Sequence, residues 1–172
     1  MKLYRGQIEG IARDVIQKLI DEGAIEVIET HRIEAENDLK AIMVDYLRRD
    51  SRLRNEVQEY MGNHQISFDR RGEITRSLAK ERRHPVGNRV LPYFINQFTE
   101  NCMLSAFVEE VYFDDATLKG LVRGVLTENI VDESALREEA RQLLSNLDEL
   151  SMEFQIRFPE KLQEVRRKRG LI

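Results

Sequence analysis

Residues 70–89 read RRGEITRSLAKERRHPVGNR and carry seven Lys/Arg against two acids. Ser67 stands where a helix cap would, and Phe68, Ile74 and Leu78 are spaced to face inward, so the stretch predicts a helix from Ser67 to about Arg83. Lys80, Arg82 and Arg83 fall in its last turns, the end where the macrodipole favours positive charge. His84-Pro85 and Gly87 then break the chain, because proline has no N–H and restrains the residue before it. Beyond the break, Asn88 is placed to cap another helix with Pro92 near its start. Val90, Leu91, Phe94, Ile95, Phe98 and Cys102 give that helix an apolar stripe. The segment ends one helical unit and leads into a second.

Upstream, Ile8, Ile11, Ala12, Val15, Ile16, Leu19 and Ile20 recur at helical spacing across Gly6–Glu22, and Gly23 is placed for a left-handed C-terminal cap. Ala24–Ile28 is a short apolar connector able to run extended. Thr30 reads as the cap of a second helix, with Leu39, Ile42, Met43, Tyr46 and Leu47 on one face. Asp50-Ser51 read as the cap of a third helix, ended by Gly62-Asn63. Downstream, Val108–Phe113 is ambiguous between strand and helix, and Asp114 or Asp115 caps LKGLVRGVL. Asp132–Ser134 opens a long helix with Leu136, Ala140, Leu143, Leu144, Leu147, Leu150 and Phe154 inward, stopped or kinked at Pro159. Glu160–Gly170 reads as a short basic helix.

Composition agrees with this helical pattern. The 172 residues are 41% hydrophobic and 34% charged, with nine glycines, three prolines and no Trp. High charge with few breakers suits long amphipathic helices with wet outer faces. Net charge is −4 but alternates along the chain: −3 over residues 1–66, +4 over 67–89, −9 over 90–160 and +4 over 161–172. Cys102 is the one cysteine, so no intramolecular disulfide can form. The N-terminus lacks the apolar core of a signal peptide, and no run approaches the roughly 20 apolar residues of a membrane span. The expectation is a cytoplasmic protein with no membrane segment.

The two halves can be laid over one another. A shift of 79 places Ile11–Ile20 on Val90–Thr99 and LKAIMVDYL (residues 39–47) on LKGLVRGVL (residues 118–126). Extra residues near Thr127–Val131 move the shift to 83, where SRLRNEVQEYM (51–61) meets SALREEARQLL (134–144), with Ser51, Leu53, Arg54 and Glu56 matched identically. Leu78–Arg83 then falls near Val165–Gly170. The expected fold is all-α: two tandem related units of about four helices each, residues 1–86 and 87–172, built as helical hairpins or small, elongated bundles. The plainer reading is that any two amphipathic helices share a pattern. Residues 21–38 match residues 100–117 poorly.

The N-terminus MKLYRGQIEGIARDVIQKLIDEGAIEV, the helix end LKAIMVDYLRRD, the VEEVY and LKGLVRGVL blocks and the closing EVRRKRGLI resemble the bacterial "domain of unknown function 507" family. The resemblance spans nearly the whole chain. It implies an all-helical, cytoplasmic bacterial protein. It carries no activity and no functional residues, since the family's name assigns none.

Chemistry-bearing motifs are sparse. His31, His64 and His84 sit in different segments, and Glu34 beside His31 reads as an ordinary surface neighbour, so no metal and no cofactor are expected. Cys102 lies on an apolar stripe and reads as a buried small hydrophobe, not a nucleophile. Adjacent carboxylates such as Glu109-Glu110 do not face one another on a helix. Gly120 and Gly124 suit a close helix crossing, with Ala41 matching Gly120 in the first half. The candidate contacts are the basic segments: Arg70, Arg71, Arg76, Lys80, Arg82, Arg83 and Arg89, then Lys161, Arg166, Arg167, Lys168 and Arg169. Arg76, Lys80 and Arg83 follow i, i+4, i+7 spacing and would share one face. The leading expectation is a non-enzymatic protein-interaction module, or a self-associating one, acting through helix faces and charge complementarity. The alternative is phosphate-backbone binding to RNA or DNA, which such cations support without sequence preference. An enzyme is the remote third reading.

Overall fold

The apolar stripe of the N-terminal region folds as α1 (Ile8–Asp21), ended by Gly23 at φ 67°. The computed structural model describes residues 2–172. After α1 come β1 (Ile25–Glu26), α2 (Arg32–Asn63), α3 (Arg71–Glu81), α4 (Val90–Leu104), β2 (Glu110–Val111), α5 (Asp115–Glu128), α6 (Glu133–Gln142) and α7 (Met152–Lys168). The architecture is all-α apart from one short antiparallel ladder, Ile25 opposite Val111 and Glu26 opposite Glu110. That ladder settles the ambiguous Val108–Phe113 segment as extended. Asp114 caps α5 by accepting from the Ala116 and Thr117 N–H groups, and Asp132 caps α6 in the same way.

Among the described residues three hydrophobic cores form. The largest joins α1, the first half of α2, α4 and α5 around Ile11, Ile16, Leu39, Phe94, Phe98 and Leu118. Burying each of these side chains contributes roughly 1.5–3 kcal/mol. This core takes α2 only as far as Leu47. From Leu53 onward α2 packs with α3, around Leu53, Val57, Met61 and Ala79. The third core packs α6 on α7 through Leu136, Ala140, Leu162 and Val165, and Tyr4 and Leu171 join it. The result is a central body with two helical-hairpin arms. Backbone contact ties the second arm down: the Gly6 N–H donates to the Leu171 carbonyl at 3.1 Å. A Cβ on Gly6 would lie 1.8 Å from the Gly170 carbonyl oxygen, so only glycine fits there.

Several local expectations are corrected. The second and third helices are one 32-residue helix, α2. Asp50 does not cap; its carboxylate pairs with Arg54 at 3.1 Å and His84 at 3.3 Å, and no Gly or Pro interrupts residues 32–61. Thr30, Ser67 and Asn88 do not cap α-helices either; each sits in or before a single 3₁₀ turn that leads into the helix. Phe68 is 75% exposed rather than inward. The long helix expected from Asp132 ends at Gln142. In SNLDELS, Asp148 accepts from the Leu150 N–H and Ser151 from the Phe154 N–H, local bonds that compete with the helix. Leu143 and Leu150 are therefore exposed. Pro159 neither stops nor ends α7, which runs through it. The ring removes the bond a residue-159 N–H would give the Gln155 carbonyl, and both residues are exposed, so water can serve that oxygen.

Candidate functional site

The break after α3 builds a site. The helix closes with the His84 N–H donating to the Ala79 carbonyl at 2.9 Å and Arg83 in the left-handed region at φ 50°. Pro85 and the left-handed Gly87, φ 61°, then turn the chain into α4. Tyr46 of α2 locks this turn. Its ring stacks on His84 with centroids 4.8 Å apart, and its hydroxyl donates to the Pro85 carbonyl at 3.3 Å. His84 is 5% exposed. Burial holds its imidazole below the ordinary pKa, and Asp50 pulls the other way more weakly. Nε2 lies 3.3 Å from the Asp50 carboxylate, an acceptor that favours the neutral tautomer with its proton on that nitrogen. Nδ1 is buried and has no protein partner.

Beside His84 lies a cavity of about 270 Å³ lined by Arg76, Ala79, Lys80, His84, Val86, Asn88 and Arg89. Three cations face it and no carboxylate does. A neighbouring cavity shares Arg76, Val86 and Asn88 and adds Arg71, Thr75 and one acid, Asp69. Three guanidinium or ammonium groups around so small a space can bind an oxyanion with charge-assisted hydrogen bonds. The Asn88 amide supplies a further polar contact, and the His84 ring forms part of the wall. In its neutral form His84 Nδ1 accepts a hydrogen bond; protonated, it donates one.

The structure divides the predicted basic residues. Arg76 and Lys80 share the cavity as their spacing implies. Arg83 does not join them, because α3 ends at Glu81 and Arg83 occupies the left-handed turn; Arg89, from across the break, is the third cation. Arg70 pairs with Glu73 at 3.0 Å and Arg82 with Glu56 at 2.9 Å. Arg71 lies 5.6 Å from the centre of the Phe68 ring. In the tail, Arg166 pairs with Glu133 at 3.1 Å, Arg169 with Glu139 at 2.6 Å, and Lys161 and Lys168 with Glu164 at 2.7 and 3.5 Å. Arg167 is exposed on α7. The two basic segments do approach one another: Val86 and Gly87 line one cavity with Gln163 and Arg166, but Asp50 lies in its wall and Arg166 is already paired.

One site residue escaped the sequence pattern. His84 reads as part of a helix break, and only burial beneath Tyr46 gives it a role. Arg89 is among the candidate contacts but lies in the turn before α4, and the turn at Gly87 is what brings it to Arg76. Elsewhere, burial raises the Cys102 pKa to about 12, which keeps the thiol protonated. Among the described residues no group of three or more His, Cys, Asp or Glu is placed to hold a metal ion, and no helix is long and apolar enough to cross a membrane. His31 packs edge-on against Phe107 at 5.8 Å. Among known proteins, a family described as "Protein of unknown function (DUF507)" matches residues 1–171. No curated protein matches the chain.

Proposed function

We propose that this chain, which belongs to the DUF507 family, is a non-enzymatic interaction module of the bacterial cytoplasm that docks an acidic segment of a protein partner into the basic cavity at the α3–α4 joint. The carrying observation is that Arg76, Lys80 and Arg89 face one cavity with no carboxylate in its wall, while the tail's Arg166 and Arg169 are neutralised by neighbours. A space of about 270 Å³ takes one or two side-chain carboxylates. Long-range attraction for a polyphosphate is opposed by the net −9 of residues 90–160, whereas a short acidic segment needs only the local field.

The chain also reads as two related units. Supporting this, Leu53, Val57, Met61 and Ala79 stand opposite Leu136, Ala140, Leu144 and Leu162 at the shift of 83, and all eight are buried. Asp50 and Glu133 stand opposite each other in the same register, as do Glu56 and Glu139, and each tethers the returning helix of its own arm.

Affinity capture from the host with and without nuclease tests the docking reading. The expected result is a nuclease-insensitive protein partner lost from an Arg76→Ala, Lys80→Ala, Arg89→Ala variant. Capture that persists in the variant overturns it. The second reading, phosphate-backbone binding at the same cavity, draws on its junction with the cavity that adds Arg71. Nuclease-sensitive capture together with a gel shift lost in the variant would favour that reading instead.

A further inference from the structure

A second basic site lies on α2, away from the joint. Arg5, Arg48 and Arg52 line a groove of about 420 Å³, with Ser51 and Asn55 beside them and Ile8, Val44 and Leu47 as its apolar wall. No carboxylate lines it. Val44, Arg48, Ser51 and Asn55 follow helical spacing along one stripe of α2, and Arg5 comes from the turn before α1.

The four arginines of residues 48–54 are sorted by the helix. Arg49 is held by Asp45 at 2.9 Å and Arg54 by Asp50 at 3.1 Å. Glu56, the remaining acid of this stretch, is taken by Arg82 of α3 at 2.9 Å. All three carboxylates of residues 45–56 are thus drawn to other sides of α2. Among the described residues, Arg5, Arg48 and Arg52 have no acid within ion-pair distance, and Arg48 and Arg52 are exposed. Three guanidinium groups gathered without a counter-charge raise the local positive potential, which a bound anion relieves.

We propose that this groove binds a phosphorylated ligand. Arg48 and Arg52 place their guanidinium forks on phosphate oxygens, a geometry that matches two N–H groups to two oxygens. Arg5 closes the site from the opposite side, the Asn55 amide and Ser51 hydroxyl add donors, and Ile8, Val44 and Leu47 contact the less polar part of the ligand. The groove shares no residue with the joint cavity, so it stands independently of the partner docking proposed there.

A nucleic-acid strand and a free nucleotide offer the same phosphate chemistry, so both are used as probes. Binding of ATP is measured by calorimetry and binding of a labelled single-stranded RNA by fluorescence polarisation. The wild type binds at least one probe, and Arg48→Ala with Arg52→Ala weakens it at least about tenfold, as expected for loss of charged hydrogen bonds. Asn55→Asp, which places a carboxylate in the groove and keeps every arginine, weakens binding in the same direction. One variant leaves it unchanged: Arg123→Ala with Arg137→Ala, which removes equal charge outside the groove. RNA binding without ATP binding assigns the site to a phosphodiester backbone; ATP binding assigns it to a free nucleotide. Failure of both probes to bind the wild type overturns the proposal. So does a loss in the Arg123, Arg137 variant as large as in the Arg48, Arg52 variant.

Discussion

The two basic segments carry the same net charge, +4 over residues 67–89 and +4 over 161–172, yet their arms use it differently. In the second arm, Arg166 and Arg169 of the tail reach across to Glu133 and Glu139 of α6, and Lys161 and Lys168 share Glu164. In the first arm Arg82 is similarly bound to Glu56, but Arg76, Lys80 and Arg89 are left around a cavity. The difference lies in where the chain goes next. After α3 it turns through His84-Pro85-Gly87 and continues into α4, which brings Arg89 back beside the helix it has left. After α7 it returns to the N-terminal turn, where Gly6 meets Gly170 and Leu171. A positive segment in sequence is therefore not a positive surface; what counts is which cations the packing leaves unmatched.

The arms should differ least where their cores correspond. Leu53→Ala and Leu136→Ala each remove a buried leucine from a hairpin core and each should cost about 2–5 kcal/mol, read from the denaturation midpoint. Amide exchange should rise mainly in the mutated hairpin; equal loosening of both would merge them into one cooperative unit. Gly6→Ala forces a Cβ against the Gly170 carbonyl and should cost about 1–3 kcal/mol. It should loosen α6–α7 while leaving α2–α3 protected in exchange. Arg166→Ala should cost about 1–2 kcal/mol, because Arg166 is only 13% exposed and Glu133, at 28%, would keep Lys2 alone.

The pH response should mark the first arm. His84 has a lowered pKa when folded, so on acidification the unfolded chain takes up the proton first. Its contribution is intact above about pH 6.5, the ordinary value, and is lost as pH falls from there towards the folded pKa. Midpoints of denaturation across that window should show the loss in the wild type and not in His84→Gln. An anion held in the joint cavity should shrink the loss, because favouring the protonated ring brings the folded pKa back towards the ordinary value. Smallest of all, Arg82→Ala should change the melting temperature little, since its pair with Glu56 is open to solvent, and salt should erase what change there is.

Some of this was legible beforehand because it is local. Helix class, the stripes of α1 and α4, the glycine ending at Gly23 and the caps at Asp114 and Asp132 depend on residues a few positions apart. The errors came where a side chain had a distant alternative. Asp50 has the composition of a cap, but His84, 34 residues later, claims its carboxylate. Phe68 was spaced to face inward, but it lies in the turn before α3 and stays in solvent. The Arg48 and Arg52 groove was hidden because summing residues 1–66 gave net −3, and summation cannot show that Arg49, Arg54 and Arg82 take the nearby acids.

By itself, then, the sequence determined an all-α chain with basic segments at two helix ends, since periodicity, caps and breakers act over a turn or two of backbone. Tertiary structure alone decided that α2 runs unbroken from the central body into an arm. It also decided that Arg89 rather than Arg83 completes the site beside His84, and that the tail's Arg166 and Arg169 are neutralised while Arg5, Arg48 and Arg52 are not. Ion pairing and burial act through space between residues far apart in the chain, and no count taken along the sequence contains those distances.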